Sequence, residues 1–127
     1  MRLALDTNRY TDLARGDREL AARLERAEAV LLPFVVAAEL RAAFALGTRA
    51  RKNETTLAKF LRRPAVAVLW PDDQTLHHYA AVFRQLRTQG TPIPTHDVWI
   101  AALCLQHDLV LATRDSRFEH LPQLERI

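Results

Sequence analysis

Short apolar runs alternate with longer amphipathic runs along the whole chain, and this pattern limits the possible fold more than any other feature of the sequence. The apolar runs predict strands at residues 3–5, 29–32, 65–69 and 109–112, with a short last strand near residues 124–127. The amphipathic runs predict helices at residues 10–14, 17–28, 35–46, 53–62, 73–89 and 96–106. Strands that alternate with helices are typical of a mostly parallel sheet covered by helices. The sequence therefore predicts an α/β fold.

The size and composition of the chain are those of one globular domain. Its 127 residues are 49% hydrophobic and 26% charged, so we expect a single domain over residues 1–127 with a core of its own. The one cysteine, Cys104, excludes an internal disulfide and a cysteine-based zinc site. Asp6 comes too early for the apolar region of a signal peptide, and no apolar run approaches the roughly 20 residues of a membrane span. We therefore expect a cytoplasmic protein.

The net charge of +3 favours a polyanionic partner, because basic residues bind phosphates and release counterions. Almost all of the basic residues are arginines, whose planar fork matches phosphate. The base composition of the genome explains this preference equally well. The densest basic stretch, residues 49–63, is either a surface that positions RNA phosphates or a solvated helix face.

Four isolated acidic residues occupy positions where a carboxylate is expected to be drawn into the fold. They are Asp6, Glu39, Asp97 and Asp115. An unpaired buried carboxylate is unfavourable, and their motifs contain no basic partner, so a fold that gathers them also needs a cation. Oxygen ligands of this kind suit Mg²⁺ or Mn²⁺. Because clustered carboxylates repel one another, we expect raised pKa values in the metal-free site and weaker metal binding as the pH falls.

Each of these acids also has an explanation that is purely structural. Asp6, or Asn8 two residues later, is placed to cap the following helix, and Asp115 is placed to cap the turn after it. The helix dipole favours an aspartate such as Asp97 in the first turn of its helix. Each signal is therefore weak when it is taken alone.

Glu39 lies inside a predicted helix instead of at its end. On a helical wheel it falls between Ala43 and Leu46, within the apolar arc. A glutamate on a core-facing stripe is rarely unpaired. It either pairs with a buried arginine or binds a metal ion.

Four motifs in order resemble those of a known family of nucleases. They are Leu5-Asp6-Thr7-Asn8, Ala38-Glu39-Leu40-Arg41, Asp97-Val-Trp-Ile-Ala-Ala102 and Leu111-Ala-Thr-Arg-Asp115-Ser-Arg-Phe118, the last followed by Leu121-Pro-Gln-Leu124. They resemble the motifs of PIN-domain ribonucleases, and most of all the VapC-type toxins of bacterial VapBC toxin–antitoxin pairs. The resemblance runs nearly from end to end and at the size of a stand-alone domain.

This resemblance implies a three-layer α/β/α fold with a mostly parallel sheet and an endoribonuclease activity that depends on Mg²⁺ or Mn²⁺. Such toxins cut structured RNA, often transfer RNA or a ribosomal RNA loop. They are typically homodimers, inhibited by a small VapB-type antitoxin whose carboxyl-terminal segment covers the active site. Trp99 is our candidate for a residue that faces the dimer partner.

The resemblance also assigns roles to residues of this chain. The acidic site corresponds to Asp6, Glu39, Asp97 and Asp115, with Asn8 and Thr113 as orienting partners. Asp6 and Asp97 are the expected direct metal ligands, whereas Glu39 and Asp115 bind the ion directly, through water, or at a second ion. Because water is the nucleophile, the expected products carry a 5′-phosphate and a 3′-hydroxyl.

Two arginines and two departures from the family pattern surround this site. Arg9 and Arg114 adjoin the motifs and are candidates for contact with RNA or the antitoxin, although Arg114 is also placed to pair with Asp115. His96 stands where relatives often carry Asn, and Arg117 stands where a His often precedes the Phe. Neither departure removes a carboxylate, so both affect the expected RNA contact and pH response more than catalysis.

Three other functions fit the sequence less well. The main alternative is a catalytically silent PIN-like module that binds RNA or protein, and its discriminating test is metal-dependent turnover. A phospho-receiver domain would need an acidic pair after the first strand, where Asp6 stands alone. A phosphatase with an aspartate nucleophile would need a second aspartate at position 8, where Asn8 stands.

Overall fold

The computed structural model describes all residues, 1–127, and contains four strands, six α-helices and one 3₁₀ helix. The strands are β1 (Arg2–Leu5), β2 (Ala29–Pro33), β3 (Val66–Leu69) and β4 (Val110–Ala112). The helices are α1 (Thr7–Ala14), α2 (Arg18–Arg26), α3 (Phe34–Leu46), α4 (Ala50–Leu61), α5 (Asp73–Gln89) and α6 (Thr95–His107), with the 3₁₀ helix at Ser116–His120. The first four predicted strands and all of the predicted helices are present, with ends shifted by a few residues.

The sheet is parallel throughout, with the strand order β3-β2-β1-β4. The chain moves outward from β1 to β3 and then returns to the opposite side of β1. Since crossovers of this kind are right-handed, the reversal places α1–α4 on one face of the sheet and α5 and α6 on the other. In agreement, α1 packs on α2, α3 on α4, and α5 on α6. The three-layer α/β/α prediction is confirmed.

The predicted short strand near residues 124–127 is wrong as a full strand. Arg126 makes a single parallel bridge to Leu111 on the free edge of β4. Ile127 continues this contact, since its N–H donates to the Leu111 carbonyl at 3.0 Å and its carbonyl accepts from the Thr113 N–H at 3.3 Å. The preceding residues, 121–124, are held in a turn in which the Leu124 N–H donates to the Leu121 carbonyl. Too little extended chain remains after that turn to form a longer ladder.

Helix α6 is the most deeply buried helix, and its apolar sequence explains why. Ile100, Ala101, Ala102 and Leu103 are fully buried against the sheet and the neighbouring helices. No side chain caps the amino end of the helix, where Pro94 precedes the first turn. In the first turn Thr95 is exposed and Asp97 is buried, and the backbone N–H groups at that end have no side-chain partner. None of the helices is both long and apolar enough to cross a lipid bilayer.

Candidate active site

The acidic residues gather where the direction of chain progression reverses. Because β1 and β4 are neighbours but are connected through opposite faces of the sheet, a crevice forms outside their carboxyl ends. Asp6 follows β1, and Thr113 follows β4. A hydrogen bond joins them, since the Thr113 hydroxyl donates to Asp6 Oδ2 at 2.6 Å. The topology therefore places the two ends of the chain in one site.

Asp6 is buried and firmly oriented. Its Oδ1 accepts from the Thr7 N–H at 2.8 Å, and its Oδ2 accepts from the Asn8 side-chain amide at 3.4 Å as well as from Thr113. The helix-cap interpretation of Asp6 is confirmed, because this residue is the N-cap of α1. Capping thus holds the buried carboxylate in one orientation at the crevice.

Glu39 reaches the site from α3, but it is exposed, so the prediction that it lies on a core-facing stripe is wrong. The two residues that flank it on the wheel, Ala43 and Leu46, are exposed too, because the carboxyl half of α3 extends beyond the sheet. No buried arginine pairs with it. Its Oε2 accepts from the Thr7 hydroxyl at 2.7 Å. Thr7 thus links Glu39 to Asp6.

Asp97 is the most unusual carboxylate of the protein. It is only 2% exposed, and its Oδ2 is a buried polar atom without any hydrogen-bond partner. The neighbouring charges are His96, whose Nε2 lies 3.2 Å from Oδ1, and Arg117, whose Nη2 lies 3.6 Å from Oδ2. Burial raises the pKa of Asp97, while the charges of His96 and Arg117 oppose that rise. The predicted direction is confirmed for this residue, but its main cause is burial, and repulsion from Asp6 and Asp115 contributes less.

Asp115 shows the opposite behaviour because it has a full partner. The guanidinium of Arg117 donates from Nη2 to Oδ2 at 2.7 Å and from Nε to both oxygens at 3.0–3.1 Å. Hydrogen bonding from Arg117 lowers the pKa of Asp115, so the expectation of a raised value is wrong here. The assumption that these carboxylates lack a basic partner is wrong for the same reason. Asp115 also caps the 3₁₀ helix by accepting from the Arg117 N–H.

Arg9 and Arg114 share one partner, Asp12. Arg114 forms a two-pronged pair with Asp12, at 2.8 Å from Nε and 3.0 Å from Nη2, and Arg9 Nη1 lies 2.8 Å from the same carboxylate. The Arg114 N–H also donates to Asn8 Oδ1 at 3.2 Å. The suggested pairing of Arg114 with Asp115 is therefore wrong. Asp12 fixes the loop after β4 to helix α1.

Sequence reasoning missed Thr7 and Asp12 and saw Arg117 only as a departure from a pattern. Thr7 carried a signal, because a hydroxyl next to Asp6 at a strand end is placed to bond a second acid. No signal in the sequence marked Asp12, since its partner Arg114 is distant in the sequence. Trp99 is half-buried between Phe34 and Tyr79, at ring-centroid distances of 5.7 Å and 4.5 Å.

The donor atoms of this crevice suit a hard divalent cation. Carboxylate oxygens are the ligands that Mg²⁺ and Mn²⁺ prefer, and the unpartnered Asp97 Oδ2 is left without compensation unless a cation faces it. As the side chains stand, however, no three His, Cys, Asp or Glu residues lie close enough together to hold one ion. The Arg117 guanidinium lies against both Asp97 and Asp115. The carboxylates are therefore suitable ligands for a divalent cation, and the Arg117 guanidinium already lies against two of them.

Comparison with known proteins agrees with this geometry. The family model of the PIN domain matches residues 3–124. Ribonuclease VapC1 of Haemophilus influenzae (strain R2866) is 36% identical over 61 residues, which cover 47% of this chain and 46% of that protein. The match thus spans about half the length of the curated relative.

Solved structures resemble the chain over its whole length. VapBC-1 from nontypeable Haemophilus influenzae gives a TM-score of 0.88 at 26% identity and covers 100% of this chain and 97% of that one. FitAcB from Neisseria gonorrhoeae gives a TM-score of 0.74 at 27% identity, and the match covers 98% of this chain and 96% of that one. The DNA-bound VapBC from Salmonella typhimurium gives 0.89 at 21%, with 100% and 97% covered, which is a likeness of fold alone. With the family model matched across nearly every residue and the acidic crevice at its expected edge, this chain belongs to the PIN domain family.

Proposed function

We propose that this protein is a metal-dependent endoribonuclease that cleaves structured RNA, such as transfer or ribosomal RNA, and acts as the toxin of a toxin–antitoxin pair. The observation that carries the proposal is Asp97, a buried carboxylate with one unpartnered oxygen at the carboxyl edge of a parallel sheet. A structural carboxylate at that depth is expected to be fully hydrogen-bonded. One that is not is best explained by a ligand.

Asp6 and Asp97 are the proposed metal ligands, with Glu39 and Asp115 binding directly, through water, or at a second ion. A bound Mg²⁺ or Mn²⁺ supplies charge neutralisation at the phosphodiester and lowers the pKa of a water molecule. Thr113 holds the Asp6 carboxylate in one orientation through its 2.6 Å hydrogen bond, and Asn8 supports it at 3.4 Å.

Glu39 and Asp115 are the candidates to orient the attacking water. Glu39 is exposed and bonded only to Thr7, so its second oxygen remains available to solvent. Attack by water leaves a 5′-phosphate and a 3′-hydroxyl. Arg114 is exposed, and Arg9 shares its partner Asp12. We propose that both arginines contact RNA or the antitoxin, with Arg114 the more accessible of the two.

The toxin role rests on the relatives. The curated relative is named a ribonuclease, VapC1, and several similar structures are VapBC complexes. By analogy we propose a VapB-type antitoxin as partner of this chain. We further propose that residues 1–127 form one PIN-like domain and work in the cytoplasm.

We also propose a homodimer, which an exposed apolar face supports. Trp70, Leu76 and Phe83 are 68%, 56% and 47% exposed. Trp70 and Phe83 adjoin the aromatic contacts of Trp99, since Trp70 stacks on Phe34 and Phe83 stacks on Tyr79. A contiguous exposed apolar patch typically marks an interaction surface.

Cleavage of total transfer and ribosomal RNA by protein free of antitoxin tests the proposal. The reactions contain Mg²⁺, Mn²⁺ or EDTA, and Asp97→Asn is assayed beside the wild type. We expect discrete fragments with 5′-phosphate ends, which disappear with EDTA and with the variant. Folded wild-type protein that binds RNA but cuts none under either metal would instead identify a silent binding module.

A further inference from the structure

Arg117 faces the proposed metal site from inside the chain. Its Nη2 lies 2.7 Å from Asp115 Oδ2 and 3.6 Å from Asp97 Oδ2, and the latter oxygen has no hydrogen-bond donor. One guanidinium nitrogen thus faces a carboxylate oxygen from each of two different elements. A divalent ion that binds both carboxylates has to face the same oxygens.

The arrangement gives the metal-free protein a countercharge that it needs. Asp97 is 2% exposed and Asp115 is mostly buried, so two adjacent carboxylates without a cation would repel each other in a poorly solvated place. Arg117 supplies one positive charge in a planar fork that matches Asp115. Arg117 does not satisfy Asp97 Oδ2, because 3.6 Å is an ion-pair distance and no hydrogen bond forms.

Arg117 is also placed so that it is able to leave. Its side chain is 50% exposed, whereas those of Asp97 and Asp115 are 3% and 18% exposed. It extends from a short 3₁₀ helix at the protein surface, and its backbone N–H stays bonded to Asp115 Oδ1 whatever the side chain does. Rotation of the side chain into solvent therefore frees both carboxylates without changing the main chain.

We propose that Arg117 and the divalent ion bind the Asp97–Asp115 pair in alternation, so that Arg117 acts as an internal countercharge which the ion must displace. This inference rests on the proposed metal site but goes beyond it, because it assigns to a residue of this chain the control of metal affinity. The structure represents the state in which the arginine is bound.

Metal binding without RNA tests the competition directly. Isothermal titration with Mn²⁺ alone compares the wild type with Arg117→Gln, Arg117→Lys and the matched control Arg23→Gln. Arg23 carries the same charge but pairs with Glu19 on α2 at 3.9 Å, away from the crevice. Circular dichroism verifies that each variant is folded.

We expect Arg117→Gln to bind Mn²⁺ about tenfold more tightly than the wild type, the size of a modest close charge–charge coupling. Arg23→Gln should change the dissociation constant by less than about twofold, since an exposed charge at a distance is screened. The Mn²⁺ affinity of Arg117→Lys should lie between those of the wild type and Arg117→Gln, because lysine keeps the charge and loses the planar fork. Equal affinity of the wild type and Arg117→Gln would overturn the inference while leaving the metal site intact.

A second measurement uses the wild-type protein, so it does not depend on a variant that folds. The Arg117 Nε–H donates to Asp115 at 3.0–3.1 Å. As Mg²⁺ saturates the site, the ¹⁵Nε resonance should shift and the attached proton should exchange faster with water. A resonance that does not change at saturation would overturn the alternation. If neither the wild type nor any variant binds Mn²⁺ or Mg²⁺, the proposed metal site fails, and the inference fails with it.

Discussion

The two ends of α6 carry polar clusters that differ in how completely they are hydrogen-bonded. At the amino end, Asp97 is buried with one oxygen unpartnered. At the carboxyl end, Gln106 joins Asp72 and Thr75 in a closed network. The Thr75 hydroxyl donates to Gln106 Oε1 at 2.5 Å, and the Gln106 amide donates to Asp72 Oδ1 at 2.8 Å.

The pKa shifts of the two aspartates run in opposite directions. Hydrogen bonding from Gln106 and Thr75 lowers the pKa of Asp72, whereas burial raises that of Asp97. A satisfied polar cluster holds helices together, because every donor and acceptor has a partner. An unsatisfied one lowers stability and is retained where it has another use. The contrast separates a structural cluster from a functional one on a single helix.

The largest test of this contrast is Asp97→Asn. Removal of a proposed ligand should reduce metal-dependent cleavage by more than the about 10–100-fold that loss of a supporting group costs a metal site. The same variant should melt at a higher temperature at neutral pH without metal. Because the folded pKa of Asp97 is raised above the ordinary aspartate value of 3.8, its contribution to stability is full below pH 3.8 and is lost as the pH rises through the folded pKa.

The matched control is Asp73→Asn, an exposed aspartate in the first turn of α5. It should change neither cleavage nor melting appreciably. RNA cleavage and thermal melting of both variants give the comparison. Full metal-dependent cleavage by Asp97→Asn would show that the assignment of this residue is wrong.

The next test addresses Thr113, which orients Asp6. Thr113→Val removes the hydroxyl that donates to Asp6 and accepts from the Asp115 N–H at 3.0 Å. We expect cleavage and Mn²⁺ affinity each to fall by about 10–100-fold. Thr113→Ser, which keeps the hydroxyl, should restore most of both; if it does not, Thr113 acts through packing and not through its hydrogen bond.

At the other end of α6, Thr75→Val should reduce stability and leave cleavage unchanged. The substitution leaves the Asp72 N–H and Gln106 Oε1 without their partner, so we expect the free energy of unfolding to fall by about 1–3 kcal/mol. Urea denaturation measures it. Thr55→Val is the control, since that exposed hydroxyl bonds only the Arg51 carbonyl. If Thr75→Val loses more cleavage activity than its unfolded fraction explains, the carboxyl-end cluster is not purely structural and the contrast is wrong.

The smallest expected effect is the pH dependence contributed by Asp72. Because the folded pKa of Asp72 is lowered below the ordinary aspartate value of 3.8, its contribution to stability is present above pH 3.8 and is lost as the pH falls through the folded pKa. The stability difference between the wild type and Asp72→Asn should therefore be constant near neutral pH and shrink below about pH 4. Urea midpoints at a series of pH values measure it, and a difference that grows in acid would contradict the assignment.

Much of the fold follows from the sequence, because hydrophobic periodicity is a local signal. The apolar runs predicted β1 to β4, and Asp97 is buried, as the sequence predicted for the isolated acids. The prediction that Glu39 faces the core was wrong because a helical wheel treats a helix as equally buried along its length. Only the amino half of α3 lies against the sheet, where Val36, Ala37 and Leu40 are buried.

The ion pairs of the site were less predictable than its acids. Arg117 pairs with Asp115 because the 3₁₀ helix turns its side chain back over its own cap, and that turn type is not evident in the sequence. Arg114 finds Asp12 only after β4 has inserted beside β1. Side-chain partners depend on this tertiary geometry, whereas the positions of the acids depend on strand ends.

The hydrogen bond between Thr113 and Asp6 joins residues that are 107 positions apart. The two residues are therefore synthesised at different times during translation. At translation rates of about 5–20 residues per second, Asp6 emerges on the order of 5–20 seconds before the residue that orients it. Arg114, Asp115 and Arg117 are made later still. If the site cuts RNA as proposed, a nascent or prematurely terminated chain carries its first carboxylate but no assembled site. The site is therefore unable to assemble before the residues around Arg117 have left the ribosome.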